Sequence, residues 1–141
     1  MAAVPIPSAL ARRVARSRFV VEVGAGAAFE SALALHALAP GARFLLTDVD
    51  PRVLAAPAPL EAIVHDITRD PDAPFAGADL LVAIRPPEDL QPVLARVARR
   101  LGADLALRAL KDEWADLGVP VRWDPWPDGW RFVPSMRGRE S

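Results

Sequence analysis

The chain has 141 residues, 52% of them hydrophobic, which is enough for one domain with a buried core and argues against intrinsic disorder. Acidic and basic residues nearly cancel, at 18 against 17, so the net charge gives no general attraction to nucleic acid or to an anionic membrane. Cysteine is absent and there are two histidines, so a zinc site has almost no ligands to draw on. The N-terminus lacks an uninterrupted apolar run, and we expect a cytoplasmic protein without a signal peptide or membrane span.

Strand and helix patterns alternate along the first three quarters of the chain. The apolar, β-branched run at 19–23 ends at Gly24 and predicts a buried strand, whereas the alanine- and leucine-rich run at 29–38 predicts a helix. In chain order, the predicted elements are a short amphipathic helix at 8–17, a strand at 19–23, a helix at 29–38, a strand at 44–47, a helical turn after Asp50-Pro51, strands at 62–64 and 80–84, a helix at 88–100 and a strand at 105–110.

The last quarter of the chain differs in character. Residues 119–123 and 130–133 read as two strands joined by a Pro-Asp-Gly turn. Strand-helix alternation with short connections predicts a parallel sheet with helices on both faces. We therefore predict a single domain over residues 1–141, a Rossmann-like, doubly wound α/β sandwich of five parallel strands plus a C-terminal antiparallel hairpin.

In such a sheet the ligand lies outside the carboxyl ends of the strands, near the switch point beside the first strand. The turns that follow the first four predicted strands would then share one rim. They carry the polar, glycine and proline residues Gly24, Gly26, Asp48, Asp50, Asp66, Arg85, Pro86 and Pro87.

The turn after the first strand favours S-adenosylmethionine over NAD. Gly24 and Gly26 let a ligand approach the backbone, but Phe29 stands where the dinucleotide fingerprint needs a third glycine. Glu22 and Glu30 flank the turn, and their negative charge would oppose a pyrophosphate. The same acids suit a cofactor that carries a sulfonium and an ammonium.

Acidic residues follow the second and third strands. An acid at the end of the second strand accepts hydrogen bonds from ribose hydroxyls, and we assign this role to Asp48 because Asp50, followed by Pro51, is the better helix cap. Asp66 either meets the adenine amino group or starts the next loop as an Asx turn. His65 is interpreted as a packed residue at the end of its strand.

These motifs resemble those of the class I methyltransferases over roughly residues 19–110, and most closely those of uncharacterised protein family 0146, which is related to them. The segments that carry the resemblance are Glu22-Val-Gly-Ala-Gly26 with Glu30, Leu46-Thr47-Asp48, His65-Asp66-Ile67, and Ala83-Ile84-Arg85-Pro86-Pro87 with Leu90-Gln91. The resemblance implies the methyltransferase fold, S-adenosylmethionine as cofactor and no assigned reaction. The candidate cofactor-binding residues are Glu22, Gly24, Ala25, Gly26, Asp48, Val49, Asp66 and Ile67.

The chain departs from the class I pattern at two positions. Ala28 replaces the usual third glycine of the first motif, and Arg85 precedes Pro-Pro where amino-methylating members carry Asn, Asp or Ser. A guanidinium suits a carboxylate or phosphate rather than an amine, so Arg85 is a candidate acceptor-site residue, or simply the exposed arginine of a rigid turn.

Three functions stay open at this point: a methyltransferase-like protein with an unknown acceptor, a non-catalytic sensor or oligomerising module that keeps the pocket, and a regulator that binds NAD or another nucleotide. The four tryptophans near the C-terminus are predicted to pack under the hairpin or, if exposed, to form a homodimer or substrate surface. Arginines 12, 13, 16 and 18 are predicted to lie on a solvated helix face, with RNA contact as the alternative.

Overall fold

Seven strands form one sheet in the part of the chain that the computed structural model describes, residues 4–70, 73–109, 114–118 and 122–135. The strand order is β3-β2-β1-β4-β5-β7-β6. The strands are β1 (Phe19–Val23), β2 (Arg43–Asp48), β3 (Glu61–Val64), β4 (Leu80–Ile84), β5 (Asp104–Arg108), β6 (Asp124–Trp126) and β7 (Trp130–Val133). The first five are parallel, and β7 joins β5 as an antiparallel strand, so the predicted architecture is confirmed.

The centre of the sheet is buried on both faces. Every residue of β1 is buried, as are the first four residues of β4, which explains why β4 is a continuous apolar run and why β1 is one apart from Glu22. The order reverses at β1, which lies between β2 and β4. This reversal creates the switch point at which doubly wound sheets bind their ligands.

Three α-helices cover the two faces of the sheet: α1 (Ser8–Ala15), α2 (Glu30–Leu38) and α3 (Gln91–Leu101). On one face, Leu10 of α1 and Leu35 of α2 pack in a cluster with Leu46 and Val82. On the other face, Leu94 of α3 packs in a cluster with the opposite side of the same strands. Within the described ranges, no helix has the length and apolar composition that crossing a bilayer requires.

The helix α3 starts later than its sequence pattern predicts. Residues 88–90 form a 3₁₀ turn, and the α-helix begins at Gln91 with Pro92 in its first turn, where a missing N–H costs nothing. The helix ends as predicted at Gly102, whose φ of 70° places it in the left-handed region. A further short 3₁₀ helix, Ala73–Phe75, lies between β3 and β4.

The C-terminal hairpin differs from its prediction in one strand. The predicted strand at 119–123 lies partly outside the described residues, and residues 122 and 123 are not in a strand. The strand that pairs with β7 is β6, because Asp128 and Gly129, both at positive φ, form a tight turn that sets Trp126 directly opposite Trp130. Trp130 is buried, and its indole N–H donates to the Pro5 carbonyl at 2.9 Å, which ties the hairpin to the N-terminal segment.

Candidate functional site

Two cavities open along the carboxyl edge of the sheet, and Gly24 lines both of them. The larger, about 410 Å³, lies beside the ends of β2 and β3, and the smaller, about 230 Å³, lies between the start of α2 and the end of β4. Every residue predicted to bind a cofactor lies on a wall of one of them, as does Arg85. The turns after the first four strands therefore share one rim, as predicted.

The turn after β1 is held against β2 by its backbone. The N–H groups of Gly24 and Ala25 both donate to the Thr47 carbonyl, at 2.8 and 3.1 Å. Gly24 and Gly26 have φ values of 75° and 66°, a conformation that side-chain-bearing residues rarely adopt. A Cβ at either position would meet no described protein atom within 4 Å, so the glycines border open space that a ligand can occupy.

Asp48 fixes the two turns that flank it. One carboxylate oxygen accepts the Gly26 N–H at 2.7 Å, and the other accepts the Asp50 N–H at 2.9 Å. Each oxygen retains a second lone pair, so Asp48 is held in one orientation while it can still accept a hydrogen bond from a ligand in the larger cavity.

Asp50 has the capping role predicted for it. Its carboxylate accepts the Arg52 N–H at 3.0 Å at the start of the 3₁₀ helix Pro51–Ala55, and it forms an ion pair with the Arg52 guanidinium at 2.6 Å. The hydrogen bonds from Arg52 hold the pKa of Asp50 below its usual value. The two acids after β2 therefore have different partners.

The turn after β3 forms the far wall of the larger cavity. The Asp66 carboxylate accepts the Thr68 N–H at 2.9 Å and also the Thr68 hydroxyl, which is an Asx turn, and these bonds lower the pKa of Asp66. Ile67 is buried, whereas Val49 is 64% exposed at the cavity wall. The Asx turn predicted as an alternative is present, while a contact between Asp66 and adenine stays a prediction.

His65 is packed at the end of its strand, as interpreted from the sequence. Its ring meets Phe75 edge-on, with the ring centroids 5.2 Å apart. Both ring nitrogens are buried and have no hydrogen-bond partner among the described residues. His65 also lines the larger cavity, which its sequence context did not indicate.

Glu22 is a buried acid on the wall of the smaller cavity. The residue is 6% exposed, and its Oε1 atom has no hydrogen-bond partner in the described part of the chain. Burial raises the pKa of Glu22 to about 7. A buried carboxyl oxygen without a hydrogen-bond partner among the described residues is costly for the protein alone, and a cationic ligand group would offset that cost.

The N-terminal segment closes one side of the smaller cavity. The Val4 N–H donates to the Ser31 hydroxyl of α2 at 3.0 Å, and both residues line the cavity. This contact was missed from the sequence, because nothing in either segment signals a partner 27 residues away.

Arg85 occupies a strained turn at the end of β4. Its φ of 58° lies in the left-handed region, which costs roughly 1–2 kcal/mol for a residue with a Cβ. Its N–H donates to the Arg108 carbonyl of β5 at 2.6 Å, which holds the turn, and its side chain is exposed. Strained residues cluster at functional sites, and Arg85 lines the same cavity as Glu22 and Glu30.

The fold is that of the Rossmann-like methyltransferases. The structure of PigF with S-adenosylhomocysteine superposes with a TM-score of 0.61 at 12% identity, over 87% of this chain and 52% of that one. Human N-acetylserotonin methyltransferase, solved in complex with S-adenosylmethionine, gives 0.59 at 14% identity, over 87% and 48%. An S-adenosyl-L-methionine methyl transferase from Silicibacter pomeroyi gives 0.60 at 15% identity, over 88% and 86%. The chain spans about half the length of the first two.

Within that fold, the chain belongs to the uncharacterised protein family UPF0146, whose sequence profile matches residues 3–122. A UPF0146 protein from Archaeoglobus fulgidus is 32% identical to it over 100 residues, which are 71% of this chain and 74% of that protein. The resemblance drawn from Glu22-Val-Gly-Ala-Gly26 and Arg85-Pro86-Pro87 is thereby confirmed.

Proposed function

We propose that the chain binds S-adenosylmethionine across both cavities and acts as a methyltransferase-like protein whose acceptor is unknown. The observation that supports this most strongly is the pairing of groups around Gly24. An oriented acceptor, Asp48, lies on one side of the glycine turn. On the other side lies a buried acid, Glu22, with one oxygen that has no hydrogen-bond partner in the described segments. A nucleoside with a cationic tail requires these two kinds of group.

In this proposal the larger cavity takes the adenosine. Asp48 accepts the ribose hydroxyls, while Val49 and Ile67 provide apolar surface for the adenine. Asp66 accepts from the adenine amino group through its remaining lone pairs, since the Asx turn leaves carboxylate capacity unused.

The smaller cavity takes the amino-acid tail. Gly24, Ala25 and Gly26 allow close approach of the ligand to the backbone, and Glu22 and Glu30 provide the negative charge that favours a sulfonium and an ammonium. When bound, S-adenosylmethionine supplies a methyl group on a good leaving group, so the protein has mainly to align an acceptor with it.

Calorimetry tests the cofactor. We expect S-adenosylhomocysteine to bind and NAD to bind much more weakly, because Phe29 replaces the third glycine and the exposed Glu30 places a negative charge in the first turn of α2, where a pyrophosphate would lie. Tighter binding of NAD, with no heat from S-adenosylhomocysteine, would show that the cofactor is wrong.

A second candidate function is a non-catalytic sensor that keeps the pocket without the chemistry. Arg85 favours it, because an arginine stands where amino-methylating class I enzymes carry an acceptor for the amine. A homodimer through the C-terminal region also stays a prediction. Trp123 is its most exposed tryptophan among the described residues, at 42%, and the molar mass in solution tests it.

A further inference from the structure

The carboxyl group of Glu22 is enclosed by apolar and neutral groups on most sides. Within the sheet Glu22 lies opposite Leu46 of β2 and Val82 of β4, both fully buried. Val4 and Ser31 close the cavity from the N-terminal segment and α2. The smaller cavity gives a ligand access to this group.

Two charged side chains share that cavity, Glu30 at the start of α2 and Arg85 at the end of β4, and both are exposed. Asp48, the nearest acid on β2, is turned toward the Gly26 and Asp50 N–H groups. Burial is the single resolved cause of the raised pKa of Glu22, so the neighbouring charges do not offset the loss of water around its carboxyl group.

We propose that binding of a cationic ligand in the smaller cavity is coupled to the release of one proton from Glu22. The empty cavity then holds a neutral carboxyl group at and below neutral pH, and the occupied cavity holds a carboxylate paired with the ligand's ammonium. The carboxyl O–H bond breaks, its proton passes to the solvent buffer, and the ammonium keeps its own protons. This inference rests on the proposed function, and it makes the affinity depend on pH.

The direction in which the ligand affinity changes with pH follows from the linkage between protonation and binding. Below a pH of about 7 each binding event must first remove the Glu22 proton, so affinity rises as the pH rises. The rise is at most about tenfold per pH unit, because one proton is involved. Above that pH the carboxylate is already present, and the affinity becomes independent of pH.

Titration calorimetry with S-adenosylhomocysteine between pH 5.5 and 8.5 tests the inference, with paired buffers of different ionisation heat at each pH. We expect close to one proton released per ligand at the acidic end and close to none at the alkaline end. Glu22→Gln should remove both the proton release and the pH dependence and should bind more weakly than the wild type at pH 8.5. Glu61→Gln, which changes an exposed acid of β3 outside both cavities, is the control and should keep both.

A neutral ligand provides the second control. 5′-Methylthioadenosine lacks the ammonium, so its binding should release no proton and should not vary with pH. Wild-type affinity for S-adenosylhomocysteine that is flat across the range, with no proton release, would overturn the coupling and leave the cofactor assignment standing. Absence of S-adenosylhomocysteine binding at every pH would overturn both.

Discussion

Asp48 and Asp50 are two residues apart, yet they hold different partners, so their substitution should have different effects. Asp48→Ala removes the acceptor on the wall of the larger cavity and should weaken S-adenosylhomocysteine binding by roughly 1.5–3 kcal/mol, the range for hydrogen bonds to a charged group. Asp50→Ala removes the cap of the 3₁₀ helix and should cost on the order of 1 kcal/mol of stability with binding retained. Calorimetry and urea unfolding of both variants measure the two effects. The roles are reversed if Asp50→Ala alone abolishes binding.

Glu22 should make the free energy of unfolding depend on pH. The pKa of Glu22 is raised on folding, from 4.5 to about 7, so the stability associated with this group is fully present below pH 4.5 and is lost as the pH rises through 7. The loss amounts to about 3 kcal/mol at 1.36 kcal/mol per pH unit. Glu22→Gln should therefore gain stability relative to the wild type between pH 4.5 and 8 in urea unfolding.

The difference in stability between the wild type and Glu22→Gln measures the contribution of Glu22 alone, because the two proteins share all other titrating groups. A stability difference that stays constant across this range would mean that the carboxyl group is solvated rather than buried.

Among the contacts between secondary-structure elements, the hydrogen bonds of Arg13 link α1 to the amino end of the sheet. It is 8% exposed, and its guanidinium donates to the Asp104 carboxylate at 2.6 Å, to the Ser17 hydroxyl at 2.9 Å and to the Asp79 carbonyl at 2.8 Å. The prediction that Arg13 lies on a solvated helix face is wrong, because α1 packs this side against β4 and β5. Arg12 and Arg16 are exposed, as predicted.

Loss of Arg13 should destabilise the domain strongly. Arg13→Leu leaves the partly buried Asp104 carboxylate without its ion-pair partner and should cost about 3–5 kcal/mol. Arg12→Ala, one residue earlier on the exposed side, is the matched control and should change stability by less than about 0.5 kcal/mol. Equal effects of the two substitutions in thermal unfolding would contradict the network.

The predicted strand boundaries agree with the structure where turn residues flank the strand at both ends in the sequence. The bounds of β1, β4 and β7 are those predicted, because each is a mainly apolar or aromatic run between turn residues, interrupted only by Glu22 in β1 and Arg131 in β7. Residues 122 and 123 were predicted to lie in a strand and do not, because valine and tryptophan content alone cannot reveal which residues face β7. That register depends on the turn at Asp128-Gly129.

For the function of the whole molecule, substitution of Arg85 distinguishes a methyltransferase from a non-catalytic sensor. If the chain methylates an anionic acceptor, Arg85→Ala should leave the affinity for S-adenosylhomocysteine within about twofold and abolish turnover, since Arg85 is then assigned to the acceptor rather than to the cofactor. If the chain is a binding module, a radiolabelled-methyl screen of acceptors should find no product with the wild type either.

Unfolding of Arg85→Ala would instead leave Arg85 as a structural residue, and circular dichroism detects this. We do not expect it, because the Arg85 side chain is exposed. A buried ion pair with Asp79, one route to such a structural role, is ruled out, since Asp79 accepts the Arg18 N–H at 2.8 Å at the opposite end of β4.

The amino-acid sequence was enough to predict the parallel sheet, its C-terminal hairpin and the shared rim that carries Gly24, Asp48, Asp66 and Arg85. These follow from local patterns, because apolar runs and turn residues specify strands and their ends, and parallel strands end at a common edge. Three features emerge only from the folded chain: Asp48 accepts the Gly26 N–H, Arg13 is buried, and one oxygen of Glu22 has no hydrogen-bond partner among the residues that the structure describes. Each of these depends on residues far away in the chain, and the burial and pairing of a polar group are set by such neighbours rather than by its own sequence context.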